Sequence, residues 1–216
     1  MTPSIKFQIE NRVTIFSNAI PESLITGCIE FIKDHINRND YHIRFDYRDQ
    51  KDYKVMVYDH YNNITSELKE LFNSRPYELD EQKVIQVGSG GTEYSKSLMP
   101  YYENLIKSLY SKEIFYPDVQ DFFYYGNGTY MNRHSDFIDN RLCTSILYLN
   151  DQNEEDIGGE LLFYNDDRKV IYEYQPQKGD FVIMDNIEHS VNKIENWNRM
   201  THRVYWNILQ EETHDK

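Results

Sequence analysis

The chain has only two cysteines in 216 residues, Cys28 and Cys143, and they form no CxxC pair. So few thiols, so far apart, build neither a disulfide framework nor a zinc knuckle, and they point to a reducing compartment. Long apolar runs are also missing. None approaches the ~20 residues that a membrane-spanning helix needs, and the N-terminal "MTPSIKFQIENR" lacks a basic-then-apolar leader pattern. The expectation is a soluble, cytoplasmic protein with no membrane partner. Basic residues are outnumbered, 23 Lys+Arg against 36 Asp+Glu, for a net charge of −13. A field of that sign repels phosphate backbones, so no nucleic-acid partner is expected. Repeats and low-complexity tracts are absent, and the length suits one sizeable core. What is abundant is tyrosine, 19 residues, whose ring packs while its hydroxyl reaches water or a ligand.

The two halves differ in texture. "VTIFSNAI" reads as a strand, and "PESLITGCIEFIKDHINR" carries Leu24, Ile25, Cys28, Ile29, Phe31 and Ile32 at helical spacing behind Pro21 and Glu22. A polar segment follows over 39–54, then a short helix in "NNITSELKELFNSRP", a Gly-rich loop "VGSGGTEYS", and a helix in "SLMPYYENLIKSLYSKE". From Val119 short β-branched and aromatic runs alternate with turn residues: "VQDFFYYG", "RLCTSILYLN", "GELLFYN", "KVIYEYQP", "DFVIMDN" and "RVYWNIL". The pattern predicts a mainly β protein with some α, an antiparallel sandwich or barrel of about eight strands once some N-terminal ones join it, with the N-terminal helices on one outer face.

One stretch carries chemistry. In "GNGTYMNRHSDF", His134 and Asp136 are separated by one residue, so on an extended segment both side chains point to one face, as two neighbouring metal ligands require. Such a pair alone is a weak signal, because a surface turn is its commoner origin. A third ligand is needed from His35, His42, His60, His189, His202 or His214. Of these, only His189 ends a strand-like run in the β-rich half, "GDFVIMDNIEHSV". Two histidines and one carboxylate leave adjacent coordination positions open, the facial triad of non-haem Fe(II) oxygenases. An oxygenase using 2-oxoglutarate also needs a buried cation for the distal carboxylate, for which arginine is suited. Arg199 opens the last strand, and Arg199, Thr201, Arg203 and Tyr205 share one face of it by alternation, so two arginines compete.

From Asp121 to Asn207 the text "YYGNGTYMNRHSDF…RLCTSILYLND…GGELLFYN…QPQKGDFVIMDNIEHSV…R" resembles the prolyl 4-hydroxylase branch of the iron- and 2-oxoglutarate-dependent oxygenases, especially the hypoxia-inducible-factor prolyl hydroxylases. The ordered set of motifs is specific. The resemblance implies a double-stranded β-helix (jelly-roll) core over 116–212, supported by helices and strands in 1–115, within a single domain of 1–216. It makes His134, Asp136 and His189 the catalytic iron ligands and Arg199 the partner of the distal carboxylate. Tyr148, Tyr124 and Thr201 match other positions of the 2-oxoglutarate pocket. It further implies Fe(II), 2-oxoglutarate and O2 as reactants, ascorbate as a helper, a protein or peptide substrate, and hydroxylation of a prolyl residue. Arg203 has no counterpart in the pattern.

Other motifs read more plainly. Gly158 and Gly159 make a turn, and Gly88 to Gly91 lack the Lys-Ser/Thr of a phosphate loop and suit a lid. Ser135 lies between two same-face residues and so points away from them, which removes a Ser/His/Asp hydrolase. "DQNEED" lacks calcium-loop spacing. The competing functions are an oxygenase of the same superfamily acting on a free amino acid or small metabolite, a cupin-type metal-binding barrel, and a β-sandwich interaction module without metal.

Overall fold

The structure, a computed structural model, describes residues 3–48, 54–74, 84–88, 92–111, 114–138 and 140–209. Strands β1 (Ser4–Ile9) and β2 (Val13–Ser17) lead into helix α1 (Glu22–Asn37), followed by β3 (His42–Arg48), β4 (Lys54–His60), α2 (Ser66–Ser74), β5 (Val84–Val87) and α3 (Glu93–Leu109). Then come β6 (Phe115–Tyr125), β7 (Met131–His134), β8 (Arg141–Tyr148), β9 (Leu161–Tyr164), β10 (Val170–Tyr174), β11 (Phe181–Met184), β12 (His189–Val191) and β13 (Arg199–Ile208). Nine strands form one sheet in the order β1-β2-β11-β8-β13-β6-β5-β3-β4, and four form a second, β10-β9-β12-β7. From β6 onward the chain passes repeatedly between the two sheets, which makes this half a double-stranded β-helix. Strands from residues before 115 extend the large sheet on both flanks.

Alternation along each strand sorts its side chains between two cores. On β13, Met200, Val204 and Trp206 join a cluster with Ile25, Cys28 and Ile32 of α1 and Leu98, Tyr102 and Ile106 of α3. Between the sheets, Ile15, Tyr148 and Val182 pack against Leu161, Phe163 and Val191. The large sheet is therefore buried on both faces, while β13 also turns Arg199, Thr201, Arg203 and Tyr205 toward the small sheet. The "PQKGD" turn has its own structural logic. Gly179 takes φ of +82°, and buried Asp180 accepts hydrogen bonds from the Gln177 amide (2.8 Å) and the Tyr174 hydroxyl (2.5 Å).

Three sequence expectations need correction. The segment 39–54, read as a polar connector, contains β3 and the start of β4. Its polarity is one-sided, for Tyr41, Ile43 and Phe45 are buried and Arg44 is exposed. Helix α3 starts at Glu93, four residues before Ser97, because the Thr92 hydroxyl caps it by accepting from the Ser95 amide at 3.1 Å. It also runs through Pro100, which removes one intrahelical hydrogen bond; six buried residues on its inner face hold it in place. The strand count was too low: β1, β5, β7 and β12 are too short or too mixed in polarity to stand out. The proposed lid loop lies partly outside the described residues, as does His214.

One buried histidine is structural. His202 is completely buried on β13, its Nδ1 2.9 Å from the Tyr102 hydroxyl and its Nε2 3.1 Å from Ser95 Oγ. Burial pushes its pKa down to about 3. The unfolded chain takes up a proton near pH 6.5 and the folded one does not, so this group's contribution is present above pH ~6.5 and is lost as pH falls toward 3. The expected slope is about 1.4 kcal/mol per pH unit. Urea unfolding at pH 7 and pH 5 checks it: wild type should lose more stability between the two than His202→Gln.

Candidate metal centre

The second strand pair of the small sheet builds the centre. β12 lies antiparallel to β7 with His189 directly opposite His134, so both rings project on one side of the sheet, with centroids 4.4 Å apart. Their Nδ1 atoms are committed to backbone carbonyls, His134 to Asn132 at 2.7 Å and His189 to Ile187 at 3.1 Å. That fixes the N–H on Nδ1 and leaves both Nε2 lone pairs free. Asp136 follows in the turn after β7. Its Oδ1 is 3.7 Å from His134 Nε2 and its Oδ2 3.9 Å from His189 Nε2. The three ligand-capable atoms lie within 4.8 Å of one another, the one such cluster of three or more groups among the described residues. Burial, then the nearby His134 ring, push the His189 pKa down to about 4, which keeps its ring neutral and able to donate to a metal. The other described histidines lie elsewhere: His35 and His60 face Asp40, with His42 beside His60, and His202 is in the helix-side core.

Asp136 is held from behind. The Tyr205 hydroxyl donates to Asp136 Oδ1 at 3.3 Å. The Tyr205 ring is stacked by two guanidinium groups, Arg141 at 3.8 Å and Arg203 at 4.5 Å from its centroid. Burial pushes the Tyr205 pKa up to about 12, so the phenol remains a donor.

Further along β13, Arg199 is 3% exposed. Its Nη1 donates to the Gly159 carbonyl at 2.8 Å, its Nε has no acceptor, and the rings of Tyr125 and Tyr148 lie 5.1 and 5.5 Å from it. Among the described residues no carboxylate pairs with it. Tyr148 is fully buried, with its pKa raised to about 12 by burial and drawn back by Arg199. Thr201, also buried, is the cross-strand neighbour of Tyr148. Gly158 and Gly159, at φ of +77° and +81°, pass so close to Lys193 and Trp197 that a Cβ would clash at either position. The turn thus brings a backbone carbonyl to Arg199.

Tyr124 is corrected. It lies on the opposite face of β6, half-buried against the helix-side core, and the adjacent Tyr125, opposite Arg199 in register, holds the place beside the arginine. The pleat decides this: on β6 it is Asp121, Phe123 and Tyr125 that face inward. The sequence reading also missed Tyr205 and Arg141 behind Asp136, and Asp121, whose carboxylate lies 3.5 Å from Arg203. The β13 alternation already placed Tyr205 on the right face.

Residues 121–207 match the family model of the 2OG-Fe(II) oxygenase superfamily. Over that stretch the chain is similar to this superfamily, which implies Fe(II) as cofactor and 2-oxoglutarate as cosubstrate. Similar folds are found in a prolyl-4-hydroxylase of Pseudomonas putida (15% identity, 90% of this chain and 92% of that one, TM-score 0.61) and in a Trichoplax adhaerens prolyl hydroxylase solved with a hypoxia-inducible-factor peptide fragment (17% identity, 92% and 84%, TM-score 0.61). A viral collagen prolyl hydroxylase from Paramecium bursaria Chlorella virus-1 is also similar (12% identity, 92% and 97%, TM-score 0.56). At these identities the likeness is one of fold. No curated protein sequence matches significantly.

Proposed function

We propose that His134, Asp136 and His189 hold the Fe(II), that Arg199 with Tyr148, Thr201 and Tyr125 receives the distal carboxylate of 2-oxoglutarate, and that the substrate is a prolyl residue in a protein or peptide, hydroxylated at C4. The observation that carries the reading is Arg199, a buried guanidinium with no carboxylate partner among the described residues. Burying such a charge unpaired costs several kcal/mol, and a ligand carboxylate on its free N–H groups offsets that cost. A cupin-type metal barrel has no need of such a cation. The donor set of two imidazoles and one carboxylate suits Fe(II) and leaves positions open for ligands.

When bound, the iron supplies O2 activation coupled to decarboxylation of 2-oxoglutarate to succinate and CO2, with insertion of one oxygen atom into an unactivated C–H bond. The protein's part is positioning and exclusion of water. The carbonyls of Asn132 and Ile187 aim the two imidazoles, and Tyr205 fixes the rotation of the Asp136 carboxylate. Arg199, walled by tyrosine rings, orients the cosubstrate by its far end. Ascorbate as a supporting reductant is part of the same proposal.

Tyr205→Phe removes only the hydroxyl bound to Asp136. It is expected to weaken Fe(II) binding in an anaerobic titration by about tenfold, the lower end of what outer-shell partners contribute, and unchanged affinity would show that Tyr205 merely packs. For the substrate, the support is the prolyl hydroxylase fold and an open groove rather than a closed cavity beside the centre. The test incubates the iron-loaded protein with proline-rich peptides, free L-proline and a proteome extract, seeking a 2-oxoglutarate-dependent gain of ~16 Da, one oxygen atom. Hydroxylation confined to free amino acids would overturn the peptidyl assignment.

A further inference from the structure

Beside the centre, the inner face of the large sheet forms a groove of about 470 Å³, within the size range of pre-formed ligand sites. Cross-strand registers lay it out. Tyr58 on β4 is opposite Arg44 on β3, Arg44 opposite Val84 on β5 and Val84 opposite Tyr125 on β6, and further along the same face of β6 Asp121 is opposite Arg203 on β13. This row crosses four inter-strand spacings of ~4.8 Å, about 19 Å, the length of about six residues of extended chain. The inner end carries a charge pair that the oxygenase chemistry does not use: Asp121 faces Arg203 in register, with 3.5 Å between Asp121 Oδ2 and Arg203 Nη2.

That pair is held rigid and is not saturated. Gln86 donates to Asp121 Oδ1 at 2.6 Å and accepts from Tyr58 at 3.0 Å, so a relay of hydrogen bonds runs from β4 over β3 to β5 and on to the carboxylate on β6. The Arg203 guanidinium is clamped between the rings of Phe123 and Tyr205, each 4.5 Å away. Its buried Nε has no acceptor, and Asp121, with about four lone-pair sites, has capacity left. A fixed acceptor beside a fixed donor, neutral as a pair, fits a secondary amide, which presents one N–H and one C=O and no net charge. A free amino acid can pair its ammonium with Asp121 and its carboxylate with Arg203, but it covers one residue's length of the groove and leaves the rest, out to β4, unfilled.

We propose that Asp121 and Arg203 form a clamp for a backbone peptide group of the substrate, and that the groove from β13 to β4 selects an extended polypeptide of about six residues over free amino acids. The proposal rests on the oxygenase reading and deepens it. The clamp reads the chain and leaves side-chain choice to the outer groove, where Arg44, Met56 and Tyr58 are exposed.

The test measures succinate released from 2-oxoglutarate by the iron-loaded protein alone, with a blocked random heptapeptide pool, and with an equimolar pool of free amino acids. The peptide pool is expected to stimulate release about tenfold more than the amino-acid pool. Asp121→Asn and Arg203→Met are each expected to cut that stimulation about tenfold, the effect of losing one hydrogen bond to a charged group. Equal or greater stimulation by free amino acids, stimulation by neither pool above basal release, or a wild-type response in both variants would overturn the clamp while leaving the oxygenase reading intact. No succinate release under any condition would instead remove the oxygenase reading and the clamp with it. The wild-type comparison decides even if a variant fails to fold.

Discussion

Replacing Asp136 or His134 with alanine is expected to abolish succinate release at Fe(II) concentrations that saturate the wild type. Three donor atoms within 4.8 Å make the candidate site, and no fourth His, Cys, Asp or Glu joins them among the described residues to take a lost ligand's place. Outer-shell partners of a metal cost about 10- to 100-fold when removed, so loss of a direct ligand should exceed that range. Ser135→Ala is the matched control. Ser135 is exposed and, among the described residues, its hydroxyl accepts from the Phe137 amide at 3.1 Å, so activity should stay within about twofold, as for surface changes in general. An anaerobic Fe(II) titration read beside the succinate assay separates lost metal from lost chemistry. Near-normal turnover by either alanine variant would remove the His-Asp-His assignment.

The second large effect separates the two arginines of β13. Arg199→Met is expected to raise the KM for 2-oxoglutarate by ~30-fold or more, the low end of the roughly 2–5 kcal/mol at stake when a buried charged hydrogen bond is truncated. Arg203→Met should leave that KM within a few-fold. The structural difference is in their partners. Arg203 has its counter-charge in Asp121, whereas buried Arg199 has one backbone carbonyl and two flanking rings. Arg199→Lys keeps the charge without the fork and should fall between wild type and Met. A larger KM effect at Arg203 would reassign the carboxylate site.

The residues of the candidate site were local enough in pattern to read from the letters. A one-residue spacing puts His134 and Asp136 on the same side of any extended segment, and alternation puts Arg199, Thr201, Arg203 and Tyr205 on one face of any strand, whatever surrounds them. Helix α1 showed itself in the same way, because an apolar stripe at helical period has one natural reading. The phase of β6 did not: "DFFYY" is aromatic on both faces, since the sheet is buried on both, and nothing in it tells whether Tyr124 or Tyr125 turns toward Arg199. Strand β3 was hidden for the opposite reason, its polar face masking Ile43 and Phe45.

By itself, then, the sequence determined which residue types are available and which of them share a face, because both follow from bond geometry over a few residues. Only the tertiary structure decided their partners. His189 meets His134 through the register of two strands more than fifty residues apart, Arg199 meets the Gly159 carbonyl across 40 residues and Arg203 meets Asp121 across 82. Register is set by how whole faces bury against one another, and a slip of one residue would exchange every inward side chain for its neighbour. That is why the triad was legible as a list of residues, while the unpaired Arg199 and the Asp121–Arg203 pair became visible only in the fold.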